Sequence, residues 1–447
     1  MSLPSPRHLI ASAVLCACVP LAAAQTPTEA ELARRLDQLA AELAAVKAQL
    51  AALQRERAAA SSAPNAPPAA NASGAAPAAT TVPATAPPAA MTAAATKPAE
   101  PSTVVTSYGE INYNRPVHAS ENAQADLRRF VIGLQHRTDE KTKIVSELEV
   151  EHAVSSSDDK GEVEVEQAYV ERQFTPTWGA RVGLFLVPAG LLNENHEPTA
   201  YYGVERNFVE TAIIPTTWRE GGLQVVGTFD NGLTLQTGVS TGFDLTKWDA
   251  TSTEGRESPL GSIHQELQLA KARDLSVFGA LNWRGVPGLL LGGSVFTGGA
   301  THGQAVASSR VTLWDVHARW TPGRWDLAAL YASGSISNTA ALNAPLVGNP
   351  TLIPSRFDGW YLQGAYRLWT HGDYSLSPFV RWEEFNTARS FADLGPGLTP
   401  AAWPTERVVT LGGNLKVTPE VVLKADYQWF RESKDANRVN LGLGWSF

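Results

Sequence analysis

Arg438-Val439-Asn440-Leu441-Gly442-Leu443-Gly444-Trp445-Ser446-Phe447 is the stretch that decides the fold. Val439, Leu441, Leu443, Trp445 and Phe447 fall on one face of an extended chain, and Arg438, Asn440, Gly442, Gly444 and Ser446 on the other. A period of two is the mark of a strand with unlike environments on its two sides. The pattern recurs upstream. Val421, Leu423, Ala425, Tyr427 and Trp429 oppose Lys424, Asp426 and Gln428; Trp314, Val316, Ala318 and Trp320 oppose Asp315, His317 and Arg319.

Working outward, sixteen such segments start near residues 104, 125, 142, 162, 178, 217, 232, 272, 288, 309, 325, 356, 375, 405, 420 and 436. Their connections alternate in length. Thr138-Asp139-Glu140-Lys141, Asp230-Asn231-Gly232, Thr321-Pro322-Gly323-Arg324 and His371-Gly372-Asp373 are short turns, while 188–216, 245–271, 335–355 and 387–404 are long loops. Short turns at one end and long loops at the other point to an all-β transmembrane barrel of about 16 antiparallel strands. Aromatics agree. Trp178, Trp283, Trp320, Trp325, Trp369 and Trp445 sit near short turns or the terminus. Trp218, Tyr331, Trp360, Trp382 and Trp429 sit nearer the long loops, which predicts two interfacial belts.

The N-terminal quarter differs. Residues 1–24 read as an export signal, with Arg7, an apolar run from Leu9 to Leu21, and Ala22-Ala23-Ala24 before Gln25. Both cysteines, Cys16 and Cys18, fall inside it, so cleavage leaves no thiol; the rival reading makes Cys18 a lipid anchor. Residues 25–58 predict an α-helical coiled coil. Leu32, Leu36, Leu39, Leu43, Val46, Leu50 and Leu53 recur in steps of 4 and 3, and Thr28 with Glu31 forms a capping box. Such a helix asks for partner helices, with a homotrimer preferred. Residues 59–101, rich in Ala, Pro, Ser and Thr, form an extended linker that reaches beyond ~50 Å at about 3 Å per residue. Residues 102–447 form the barrel.

The net charge is −8, with 36 basic against 44 acidic residues, which argues against a nucleic-acid partner. Residues 1–101 hold seven basic and six acidic residues, so the barrel carries −9. If the apolar face meets lipid, the polar face lines a lumen. Its acidic wall comprises Glu110, Glu147, Glu149, Glu151, Glu164 and Glu166; Arg319, Arg367, Arg381 and Lys424 supply the opposite sign. Like charges so spaced repel unless water and ions screen them, and a modestly cation-favouring transverse field is expected. Loop 188–216, folded inward, would narrow the channel, with Glu194, Glu197, Arg206 and Arg219 at the constriction. No spacing there matches a metal motif, and neither a metal nor another cofactor is expected. Gly238-Val239-Ser240-Thr241-Gly242 matches a hydrolase nucleophile pattern but lies in an alternating strand, and the nine His residues show no triad spacing, so no catalytic residue is assigned.

The segment Arg181-Val182-Gly183-Leu184-Phe185-Leu186-Val187-Pro188-Ala189-Gly190, with Arg128-Arg129, Gln167-Ala168-Tyr169-Val170 and Arg219-Glu220-Gly221-Gly222, resembles the phosphate-selective porin O and P family. The resemblance covers most of 105–230. It implies a sixteen-stranded trimeric outer-membrane barrel with loop 188–216 in the pore. Leu184 and Leu186 stand where similar segments carry Gln and Lys, so it speaks to fold and transport class rather than to the solute. The expected function is a passive aqueous channel for small polar or charged solutes, phosphate or other ions among them, in the outer membrane of a Gram-negative-type cell, with the N-terminal segment periplasmic. The alternative is a barrel that tethers the outer membrane to the periplasm or cell wall through its coiled coil.

Overall fold

The computed structural model describes residues 101–447 apart from 155 and 157–159, together with Ala41. The expected export signal, coiled coil and linker lie outside the described residues, save Ala41 and Pro101. The rest is a closed ring of sixteen antiparallel strands: β1 Ser102–Pro116, β2 Gln124–Arg137, β3 Thr142–Glu151, β4 Val163–Gln173, β5 Trp178–Leu186, β6 Arg219–Thr228, β7 Leu233–Ser240, β8 Ser276–Trp283, β9 Leu289–Gly299, β10 Arg310–Trp320, β11 Trp325–Ile336, β12 Arg356–Tyr366 with a continuation at Trp369–His371, β13 Tyr374–Ser390, β14 Glu406–Thr418, β15 Val421–Phe430 and β16 Arg438–Ser446. Each pairs with its sequence neighbours, and β1 closes the ring on β16 in the register Tyr108↔Ser446 to Pro116↔Arg438.

Closure leaves no open edge, so every wall strand shares its backbone hydrogen bonds with two neighbours; lipid demands this because it offers no partner of its own. The period of two sorts side chains as the sequence predicts. Leu423, Trp429 and Leu441 are outward and exposed, whereas Val422, Gln428 and Asn440 are inward and buried. Short turns follow local chemistry. Asp139 Oδ1 accepts from the amides of Lys141 and Thr142, both at 2.7 Å. Gly232 and Gly323 adopt φ of +83° and +63°, which a side chain resists. At Gly109 an added Cβ would stand 2.4 Å from the ring of Trp445, its partner across the closing seam, so the bare backbone leaves room for the indole.

Two expectations are corrected. Trp218 does not join an interfacial belt. It is fully buried inside the ring, stacked on Phe243 at 5.1 Å and edge-on to Phe296 at 4.5 Å. Nor is the inner face polar throughout. Phe278, Phe296, Leu313, Leu330, Ile336 and Phe357 point inward and are buried. They pack under Val187, Val209, Ile213 and Ile214 of loop 187–218 and under Phe243, Leu260 and Ile263 of loop 241–275. Alternation reports that two faces differ; it does not say that the inner one is wet. Where a loop covers the wall, inward apolar residues gain burial of roughly 1.5–3 kcal/mol each.

Candidate functional site: the inward-folded loop

Residues 187–218 connect β5 to β6 and cross the interior. Asn193 closes the base of this loop: its amide donates to the carbonyls of Val187 and Trp218, both at 2.7 Å, and its Oδ1 accepts from Trp218 N at 2.7 Å. Beyond that base the loop is seated on wall carboxylates. Gly190 N donates to Asp315 of β10 at 3.1 Å, Val204 N to Asp426 of β15 at 2.6 Å, and Phe208 N to Glu383 of β13 at 2.7 Å. Tyr201 Oη donates to Glu110 of β1 at 2.8 Å. In the reverse sense, Tyr361 of β12 donates to Glu210 of the loop at 2.9 Å. An irregular backbone inside a barrel has many amides without a partner, and each buried orphan costs about 1–3 kcal/mol. Inward-facing carboxylates satisfy several of them.

Much of the acidic wall is paired within the protein. Glu110 and Glu149 flank Arg129, at 2.9 and 3.6 Å, and all three are buried. Glu166, fully buried, receives His196 Nε2 of the loop at 2.7 Å and Tyr108 Oη at 2.6 Å. Glu147 is half-buried and accepts from Gln167 at 2.5 Å; Glu164 pairs with Arg219 at 2.5 Å; Glu151 is half-buried. On the basic side, Arg381 is buried between Glu383, at 2.7 Å, and the carbonyl of Tyr202, and Lys424 is buried 3.5 Å over the Tyr201 ring. Arg319 and Arg367 remain partly exposed. Arg319 grips Asp326 at 2.9 and 2.7 Å, and Arg367 donates to Gly323 O at 3.1 Å.

The four constriction residues divide. Glu194 and Glu197 are exposed within the loop, with Glu194 accepting from Gln236 at 2.8 Å and standing 3.6 Å from Arg181. Arg206 and Arg219 are buried and act as struts. Arg206 ties the loop to itself through Thr216, Thr217 and His196 O. Arg219 bridges Glu164 to Glu266 of loop 241–275 at 3.2 Å, and Glu266 also pairs with His264 at 2.9 Å. Burial works against ionisation of Glu266, but His264 and Arg219 outweigh it and hold its carboxyl below the usual range.

Several contributors escaped the sequence reading. Asp315, Glu383 and Asp426 carry a signal only in hindsight: each occupies an inward position of its strand. Arg181 joins a ladder of alternating sign along one wall, with Lys143 at 3.2 Å from Glu171, Glu171 at 2.7 Å from Arg181, and Arg181 near Glu194. Ser240 ends β7, and its hydroxyl donates to Thr241 O at 2.7 Å. Among the described residues, no group of three or more His, Cys, Asp or Glu side chains is arranged to hold a metal, and no helix is long and apolar enough to cross a membrane.

No family model matches the chain. A curated relative, an uncharacterised protein of Aquifex aeolicus (strain VF5), is 28% identical over 354 residues, spanning 77% of this chain and 79% of the relative. Among solved structures, the Salmonella typhi OmpF complex with daunomycin superposes with a TM-score of 0.55 at 12% identity, covering 77% of this chain and 97% of that one. The outer membrane channel DcaP of Acinetobacter baumannii superposes with a TM-score of 0.51 at 14% identity, covering 78% and 98%. At these identities the likeness is one of fold, that of outer-membrane porins and channels.

Proposed function

We propose that this chain is an outer-membrane porin, a passive aqueous channel for small polar or charged solutes, of the phosphate-selective O and P type. The observation that carries the reading is loop 187–218, seated on β1, β10, β13 and β15 across the interior by side-chain hydrogen bonds. A tethering barrel has no use for such a loop, whereas a channel needs one to set its width. Charged groups remain along the lumen beside it: the Lys143–Glu171–Arg181–Glu194 ladder on one wall and Arg319 and Arg367 on another. Solute choice then follows from width and field, without a reaction step.

A homotrimer is part of the proposal. Outward aromatics crowd β10 to β13, with Trp314, Trp320, Trp325 and Trp382 all exposed. By contrast β3, β6 and β7 contain no aromatic residue, Tyr169 of β4 is buried inside, and the exposed aromatics of this arc, Phe174 and Trp178, stand only at the short-turn end. Belts mark headgroup levels, so an arc that lacks one at its long-loop level suits a protein contact there better than lipid. Leu267 lies against Gly221 of β6, and Leu269 beside it is fully exposed. β1 begins at the short-turn end, where Ser102 pairs with Arg137, which is consistent with a periplasmic N-terminal segment.

Planar-bilayer recording of the purified full chain tests the channel. Discrete, ohmic conductance steps are expected, with permeability ratios measured for phosphate, chloride and potassium. A folded, inserted barrel that produces no steps would overturn the reading.

A further inference from the structure

The outer wall of β10 to β13 carries a trough that the channel function does not use. Register places Trp320, Leu327, Gly364 and Val380 in one outward row, and Ala318, Ala329, Leu362 and Trp382 in the next. Ala318, Ala329 and Gly364 form the floor, and the larger side chains stand around it. The open groove has a volume of about 480 Å³. Aromatics bound it at both ends. Below, Trp325 and Tyr366 pack with ring centroids 4.8 Å apart; above, Tyr331 is opposite Trp360 in register. A column of small residues between two aromatic rows leaves dispersion contacts unmade unless something fills it.

The short-turn end of this trough carries charge. Arg324 closes the β10–β11 turn, between Trp320 and Trp325. It is exposed and makes no ion pair among the described residues. Arg367 is drawn to the same turn, its backbone amide donating to Arg324 O at 2.8 Å and its guanidinium to Gly323 O at 3.1 Å. Arg324 therefore stands on a short turn at a headgroup level, directly below the apolar groove, while Arg367 belongs to the lumen side.

We propose that the trough seats one acyl chain of an anionic glycerophospholipid whose phosphate pairs with Arg324. At this depth the surroundings are hydrocarbon, so hydrophobic transfer alone gives no selectivity between trough and bulk lipid. Selectivity comes from two other sources. A flexible chain fills a hollow that rigid neighbours cannot reach, and the guanidinium favours a headgroup with net negative charge. A protein neighbour would also find apolar surface here, but would bury Arg324 without a countercharge, which is costly. The inference rests on the wall facing lipid and is independent of what the lumen conducts.

The test reconstitutes the full chain in phosphatidylcholine vesicles and titrates in phosphatidylglycerol with brominated chains, which quench indole fluorescence on contact. Trp320 and Trp382 should give a component that saturates at low mole fraction, and Trp320→Phe should remove part of it. Gly364→Leu fills the trough; an added Cβ there meets nothing nearer than Leu327 at 3.5 Å. It should weaken the saturable component at least tenfold. Arg324→Gln, on an exposed turn and expected to fold, should retain quenching but reduce the preference for phosphatidylglycerol over phosphatidylcholine about fivefold, the factor that about 1 kcal/mol per basic residue represents. Quenching that is linear in mole fraction and the same in the parent and Gly364→Leu would overturn the proposal. So would efficient cross-linking between copies through Ala329→Cys, which would put a second protomer in the trough. Quenching of no tryptophan in any variant would instead remove the membrane assignment on which the inference rests.

Discussion

Glu210→Ala should unseat the inward loop while sparing the barrel. The Glu210 carboxylate is buried, with 3% exposure, and accepts four hydrogen bonds: from Leu191 N at 2.6 Å, Leu192 N at 2.7 Å, Asn207 Nδ2 at 2.7 Å and Tyr361 Oη at 2.9 Å. Three of these donors belong to the loop itself and one to the wall, so a single side chain both shapes the loop and docks it. Truncation leaves two backbone amides buried without acceptors, at about 1–3 kcal/mol each. The other two donors, the Asn207 amide and the Tyr361 hydroxyl, are buried as well, so the two backbone amides set the lower bound. A total of about 2–6 kcal/mol raises the population of displaced loop at least ~30-fold, since 1.4 kcal/mol is tenfold. The wall keeps all sixteen strands, because no strand–strand bond involves Glu210. Single-channel recording should show larger mean conductance and frequent excursions to a second level. Glu210→Gln keeps one oxygen facing the two amides and should restore most of the quiet behaviour. If folded Glu210→Ala channels match the parent in mean conductance and in noise, the seating argument is wrong.

Arg129→Met should be far more damaging than its size suggests. It strands Glu110 and Glu149 in a buried site, and breaking such a network by removing one partner costs about 3–5 kcal/mol; the check is loss of the heat-resistant folded band in detergent, with the double change Arg129→Met plus Glu149→Gln partly recovering it. Glu194→Lys, at a partly exposed position beside Arg181, should move permeability toward anions by about twofold at low salt and less at high salt, read from reversal potentials in a salt gradient. Glu266 has its carboxyl held below the ordinary range, so its stabilising share is complete above a pH of about 4.3 and is lost as pH falls through the lowered value. The melting-temperature gap between the parent and Glu266→Gln should therefore close on going from pH 6 to pH 3; a gap unchanged over that range would remove the proposed role of the His264–Glu266–Arg219 bridge.

The wall was legible because its rule is local. β16 alternates residue by residue, and a reader needs no partner strand to see that Val439, Leu441 and Leu443 share one side. Turns such as Asp230-Asn231-Gly232 likewise carry their own signal in a few residues. The expected strand starts near 142, 178, 325 and 356 coincide with Thr142, Trp178, Trp325 and Arg356, the first residues of β3, β5, β11 and β12. The interior obeys a different logic. Whether Glu110 meets water or Tyr201 depends on a loop 91 residues away in the chain, and no periodicity encodes that contact. The same holds for Leu330 and Phe357, inward yet apolar because a loop lies over them, and for Trp218, whose place next to a long loop suggested a belt when its ring is folded into the core. Asp315 and Asp426 read only as polar-face residues of their strands, and Glu383 drew no reading at all. Their use as acceptors for loop amides becomes visible only when backbone and wall are seen together.

The closing seam carries a consequence for biogenesis. Ser107 and Phe447 exchange both backbone hydrogen bonds, each 2.9 Å long. The closing seam therefore joins Phe447 to a partner about 340 positions earlier, a contact of very long sequence separation. Every partly assembled form has two raw rims of amide and carbonyl groups, and bare lipid penalises each such group by several kcal/mol. No half-built cylinder can wait in the bilayer unaided. Something must shield both rims until the Ser107–Phe447 seam forms, which makes a lesion at that seam a lesion of assembly before it is a lesion of stability.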